Sequence, residues 1–138
     1  FMQAVIDSLL SGLPFLVLHL VVTLAMLAAG AWLYEKITPV REWTLIKAGN
    51  VAAAVSYSGA LLGLAVPLAA SMAVSINVLD IVVWGIVALA LQLGVVRLLE
   101  AMLGGLWHRI EANEIGPAIL VAAVKLSVAV INAAAISG

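Results

Sequence analysis

Three polar side chains, His19, Gln92 and Lys125, stand deep inside long apolar runs of this chain. At about 1.5 Å of helix rise per residue, each lies within a few ångström of the centre of its run. Lys125 is the costly one. A central ammonium costs from about 2.5 kcal/mol to far more, so such residues face a bundle interior, a wet cavity or a polar partner. Every acidic residue (Asp7, Glu35, Glu42, Asp80, Glu100, Glu111, Glu114) falls near the end of a run. Lys125 is therefore expected to lack a carboxylate at its own depth. Three resolutions stand. The amine can be neutral and hydrogen-bonded to Gln92, His19 or a freed backbone carbonyl, because burial favours the uncharged form. It can line a hydrated path, alone or as a ring in an oligomer. It can snorkel toward the outer face, the side on which the last helix ends. Asn132 lies on the stripe Ala118, Ala122, Lys125, Ala129, Asn132 and completes the candidate pore or polar network. Read alone, His19 is more simply a packing residue than a proton carrier, and Gln92 is interhelical glue.

Other chemistry is hard to find. There is no Cys, hence no thiolate, disulfide or Cys-based metal site. The two histidines, His19 and His108, are expected at different depths and lack the paired acids of a zinc site. Ser56, Ser58 and Ser127 have no base and acid set around them. No glycine-rich loop carries the phosphate-binding lysine pattern. We expect neither a cofactor nor an enzyme.

The elements that must position these residues are four apolar runs, 9–33, 51–74, 79–103 and 117–136. Each is close to or beyond the ~20 residues a helix needs to cross hydrocarbon. Hydrophobic residues make up 66% of the chain and charged residues 9%, against about 45–50% and ~25% in soluble domains. The expected fold is all-α: one transmembrane domain over 1–138 with four membrane-spanning helices. The first run does not read as a cleaved signal. No Lys or Arg precedes it, and it is too long. Met2 reads as the natural start, after an extra Phe1. A net charge of −1 gives no argument for nucleic acid.

Five of the six Lys and Arg residues flank alternate connections. Lys36, Arg41 and Lys47 lie between runs one and two, and Arg97 and Arg109 around the end of run three. Basic short loops stay cytoplasmic. That places 34–50 and 104–116 inside and both termini and 72–78 outside. Trp32, Trp43 and Trp107 then fall near the inner boundary and Trp84 near the outer one, as interfacial anchors. Thr38 could cap a short surface helix with Pro39 as its first residue.

The halves resemble each other at a fixed offset. Trp43, Ile46, Ala48, Val51 and Ala54 meet Trp107, Ile110, Ala112, Ile115 and Ala118. The expected unit is two helices, about 9–74 and 79–136. An even number of crossings makes the repeats parallel, with an axis along the membrane normal. In the second run Gly59 and Gly63 let another helix approach closely. Pro67 frees a backbone carbonyl and favours a kink. Gly63 is expected to serve assembly or folding.

The segments Tyr34-Glu-Lys-Ile-Thr-Pro39, Glu42-Trp43-x-Leu45-Ile46-Lys47 and Ser58-Gly59-x-Leu61-Leu62-Gly63-x-x-x-Pro67-Leu68 resemble the YjfL-like family of bacterial inner-membrane proteins. Asp80, Trp84-Gly85, Gln92-Leu93, Arg97-Leu98 and Asn132-Ala133-Ala134 continue the likeness over nearly the whole chain. The family is a domain of unknown function, so the resemblance implies a tandem two-helix inner-membrane protein and supplies no reaction. It implies a small residue where this chain has Lys125. Gene neighbourhoods in the family hint at membrane stress. Two functions follow as expectations: a homo-oligomeric channel or small transporter, or a structural or regulatory membrane protein acting through a membrane-associated partner.

Overall fold

The computed structural model describes residues 1–75 and 77–138. It contains six helices among those residues: α1 (Met2–Ile37), α2 (Glu42–Lys47), α3 (Val51–Val74), α4 (Val78–Leu103), α5 (Leu106–Glu111) and α6 (Ile115–Ser137). No strand occurs among the described residues. Helices α1, α3, α4 and α6 are long and apolar enough to span a membrane. α1 outruns its expected bounds of 9–33. Its 36 residues extend roughly 54 Å, well past the ~30 Å of hydrocarbon. The polar residues of its first turns, Gln3 and Asp7, bond each other at 3.2 Å and do not stop the helix.

Helices α3 and α6 form the central pair. A Cβ on Gly59 would sit 2.5 Å from the Ala122 Cα, so only glycine admits this approach. Gly63 instead accommodates the Gln92 amide from α4, 2.6 Å from where a Cβ would stand. The small-residue face of α3 is thus filled within one chain, by α6 and α4. Of the two roles expected for Gly63, assembly or folding, this contact serves packing within the chain. Pro67 is buried inside α3, which runs on through it to Val74. α1 packs against α3 and α4 through its polar side, where His19, Ala31 and Tyr34 are buried.

Two short helices close one end of the bundle, and they end alike. After α2, Gly49 N–H donates to Ile46 O and Asn50 N–H to Leu45 O; after α5, Asn113 donates to Ile110 O and Glu114 to Arg109 O. Both are paired-bond helix stops that need a left-handed residue. Gly49 takes φ 91° and Asn113 takes φ 62°. Asn is among the few residues other than glycine that visit that region readily. The connections are also stitched to each other. Asn50 Nδ2 donates to Ile110 O at 2.9 Å, and Asn113 Oδ1 accepts from Ala52 N at 2.9 Å.

The short helix in the first connection starts later than Thr38–Pro39. Thr38 is the C-cap of α1, extended at φ −72°, ψ 145°, and α2 begins at Glu42. The residue before a proline avoids helical backbone, so Thr38 ends one helix and does not open the next. Its hydroxyl donates back to Glu35 O at 3.2 Å.

Candidate functional site: a buried lysine–glutamate cluster

Lys125 is fully buried in the bundle. Its Nζ donates to Ser56 O at 3.3 Å and Ser56 Oγ at 3.4 Å on α3. It also lies 4.8 Å from the centroid of the Tyr34 ring on α1, where the ring face attracts a cation. Helical side chains lean toward the N-terminal end of their helix. The amine therefore travels from mid-α6 toward the end that carries α2 and α5. The snorkelling alternative named the opposite direction, and side-chain geometry overturns it.

A carboxylate is buried within electrostatic reach of this amine, although among the described residues no acidic oxygen lies within 4 Å of Lys125. Glu42, the first residue of α2, is 0% exposed and turned into the bundle. Counting from the centre of each run put Glu42 at a boundary. That count ignored both the length of the lysine side chain and the inward turn of α2. Burial pushes the Glu42 carboxyl from its ordinary 4.5 up to about 7, against the opposing pull of Lys125 and Ser56. Neither carboxyl oxygen has a hydrogen-bond partner. The Ser56 hydroxyl is near enough to favour the charged form without reaching hydrogen-bond geometry. The Tyr34 hydroxyl and Gln92 Oε1 are also buried and unpartnered.

Gln92 reaches the cluster from α4, donating from Nε2 to Lys125 O at 3.1 Å. Four elements besides α6 thus supply one polar cluster: α1 (Tyr34), α2 (Glu42), α3 (Ser56) and α4 (Gln92). Tyr34 and Glu42 were missed as site residues. The signal for Tyr34 was a phenol placed one helical stripe on from Gly30. For Glu42 it was an acidic first residue in a segment with an apolar inner face.

His19 stays apart. It lies roughly 22 Å along α1 from Tyr34, and so does not share the level of the lysine amine. Its ring packs on Phe15 at 4.1 Å between centroids, and Nδ1–H donates to Phe15 O at 2.9 Å. Asn132 is half-buried in the far half of α6, away from the cluster. Trp32 and Trp43 are exposed beside the α1–α2 turn, and Trp84 is exposed on α4. Trp107 differs: half-buried, it donates from Nε1 to Glu100, which also pairs with Arg97 at 3.6 Å. Among the described residues no group of three or more His, Asp or Glu converges on a metal position.

Comparison with known proteins fits this architecture. The family described as Domain of Unknown Function (DUF350) matches residues 8–136. UPF0719 inner membrane protein YjfL of Escherichia coli (strain K12) is 31% identical over 130 residues, which cover 94% of this chain and 96% of that protein. The protein of the same name from Escherichia coli O157:H7 aligns equally well. No solved structure matches. With the family spanning all four long helices and a relative named for the inner membrane, this chain is a multi-pass inner-membrane protein of the DUF350 family.

Proposed function

We propose that this protein is a small ion channel or transporter, and that the Glu42–Lys125 cluster is its internal charged element. One observation carries the reading. α2 and α5 are six-residue helices with matching stops, and each buries its first residue. In α5 that residue is Leu106, 2% exposed; in α2 it is Glu42, 0% exposed. A leucine performs the packing task at one position, so packing does not call for a carboxylate at the other. Replacing buried ion pairs by apolar residues is commonly neutral or stabilising. A buried carboxyl pushed up to about 7, within electrostatic reach of a buried amine, supports charge handling.

In mechanism, the cluster exchanges protons. Gain or loss of a proton at Glu42 changes the charge of the site by one. A change of one charge inside low-dielectric surroundings alters the barrier to any ion crossing nearby. The path itself is formed between copies. A shallow apolar groove on the outer side of the α3–α6 pair, lined by small residues such as Ala54, Ser58 and Ala123, supports this assembly. The reading also takes the chain as two parallel repeats and as a non-enzyme. The basic end lies in the cytoplasm and both termini outside. The structural or regulatory alternative is favoured by one fact: Tyr34, Glu42, Ser56 and Lys125 are all sealed from solvent in the single chain.

Flux through liposomes holding the purified protein tests the proposal. pH-dependent ion flux that changes with Lys125→Met supports it. Absence of flux for every common ion at every pH, in both proteins, removes it and leaves the structural reading.

A further inference from the structure

A second site lies outside the bundle. The end of α1 and the start of α2 bound a cleft of about 470 Å³ that the buried cluster does not use. Trp32, Lys36, Arg41 and Trp43 line it, together with Glu35 and Thr44. The cleft sits where the apolar length of α1 ends, and Trp32 and Trp43 are 59% and 50% exposed. Such rings favour the headgroup layer. The Lys36 ammonium stands 5.1 Å from the centroid of Trp32. Neither Lys36 nor Arg41 has an acidic partner within 4 Å among the described residues. Glu35, the acidic wall, is already engaged: its Oε1 accepts from Trp43 N at 2.8 Å. Two cations with free donors therefore face a polar cleft at the edge of the apolar span. Toward the span the flank of α1 stays apolar and exposed at Leu33 and Ala29.

We propose that this cleft binds the phosphate of an anionic phospholipid from the surrounding bilayer. Arg41 and Lys36 grip the headgroup oxygens with charge-assisted hydrogen bonds. Trp32 and Trp43 flank the glycerol region, and an acyl chain runs along Leu33 and the exposed face of α1. Basic pockets at the ends of membrane helices suit such headgroups. A soluble anion would use the cations and leave the apolar flank uncovered. This site is independent of flux through the protein.

Native mass spectrometry of the full chain, exchanged with equimolar dioleoyl phosphatidylglycerol and dioleoyl phosphatidylcholine, tests it. The expected result is retention of phosphatidylglycerol over phosphatidylcholine by roughly fivefold or more, about the factor one cation contributes near a headgroup. Lys36→Gln with Arg41→Gln abolishes that preference. Arg109→Gln, which removes an exposed cation at the same end of the bundle, keeps it. The proposal is overturned by equal retention of both lipids in wild type, or by equal loss in Arg109→Gln. It is also overturned if millimolar inorganic phosphate displaces the phosphatidylglycerol, which would mark a soluble-anion site. The wild-type preference and the phosphate competition need no variant, so a misfolded double variant still leaves a decision.

Discussion

Helices α2 and α5 solve one folding problem with different chemistry. Each is six residues long, each ends in the same paired bonds around a left-handed residue, and each precedes one of the two central helices. α5 seals its side of the bundle with Leu106 and Ile110 in an apolar cluster with Ala53, Leu99 and Val121. α2 turns Glu42 inward to an amine, a serine and a phenol. The difference separates what the fold requires from what it merely accommodates. Closure of the bundle end requires a buried side chain at the first position of the short helix. It does not require a charge.

The sharpest way to break this comparison is to give α5 the chemistry of α2 without its partner. Leu106→Glu buries a carboxyl where no lysine waits. We expect a loss of several kcal/mol, or failure to fold, because an unpaired buried charge is not compensated. Thermal unfolding and the yield of monodisperse protein would register it. Near-normal stability would mean that the α5 end is wet enough to hydrate a carboxylate.

Breaking the cluster itself comes next. Lys125→Met leaves Glu42 buried without its amine. At pH 8 we expect a cost of up to about 3 kcal/mol, below the usual penalty for a contacting buried pair because no carboxyl oxygen lies within 4 Å of the amine among the described residues. At pH 5 the cost should shrink, because Glu42 then carries a proton. Chemical unfolding at the two pH values checks this. The sign of the wild-type pH dependence follows from the same group. Folding raises the Glu42 pKa from 4.5 to about 7. Its contribution to stability is fully present below pH 4.5 and is lost as pH rises through about 7. The melting temperature should therefore fall across that window, and Glu42→Gln should flatten the slope. An unchanged slope would place the titration on another group.

The smallest effect tests whether the two helix stops are matched. Asn113→Ala removes the acceptor of the Ala52 N–H and leaves φ 62° to a residue that adopts it less readily than Asn. A loss of about 1–2 kcal/mol is expected. Asn113→Gly should recover part of it, since glycine fills the same role at position 49.

Much of this architecture was legible in the sequence. The four spans follow from run length, and the bounds of α3 needed only the residues themselves. The ends of α1 were not legible, because a helix continues through polar residues when nothing stops it. Gln92 and Lys125 were recognised by depth and do meet. His19 shares their depth by counting but not by contact, since a long α1 extends beyond its partners. Glu42 escaped because depth was assigned to backbones. A lysine leaning toward its helix N-terminus and a short helix turning inward close a gap that backbone positions leave open.

The central claim is that the cluster is dispensable for folding and needed for function. It is tested most directly by giving α2 the chemistry of α5: Glu42→Leu combined with Lys125→Met. Thermal stability and liposome flux of this protein are measured beside wild type from pH 5 to 8. The account predicts a protein at least as stable as wild type whose melting temperature no longer varies across that range and whose pH-dependent flux is gone. A stability loss of several kcal/mol, or flux indistinguishable from wild type, would contradict it.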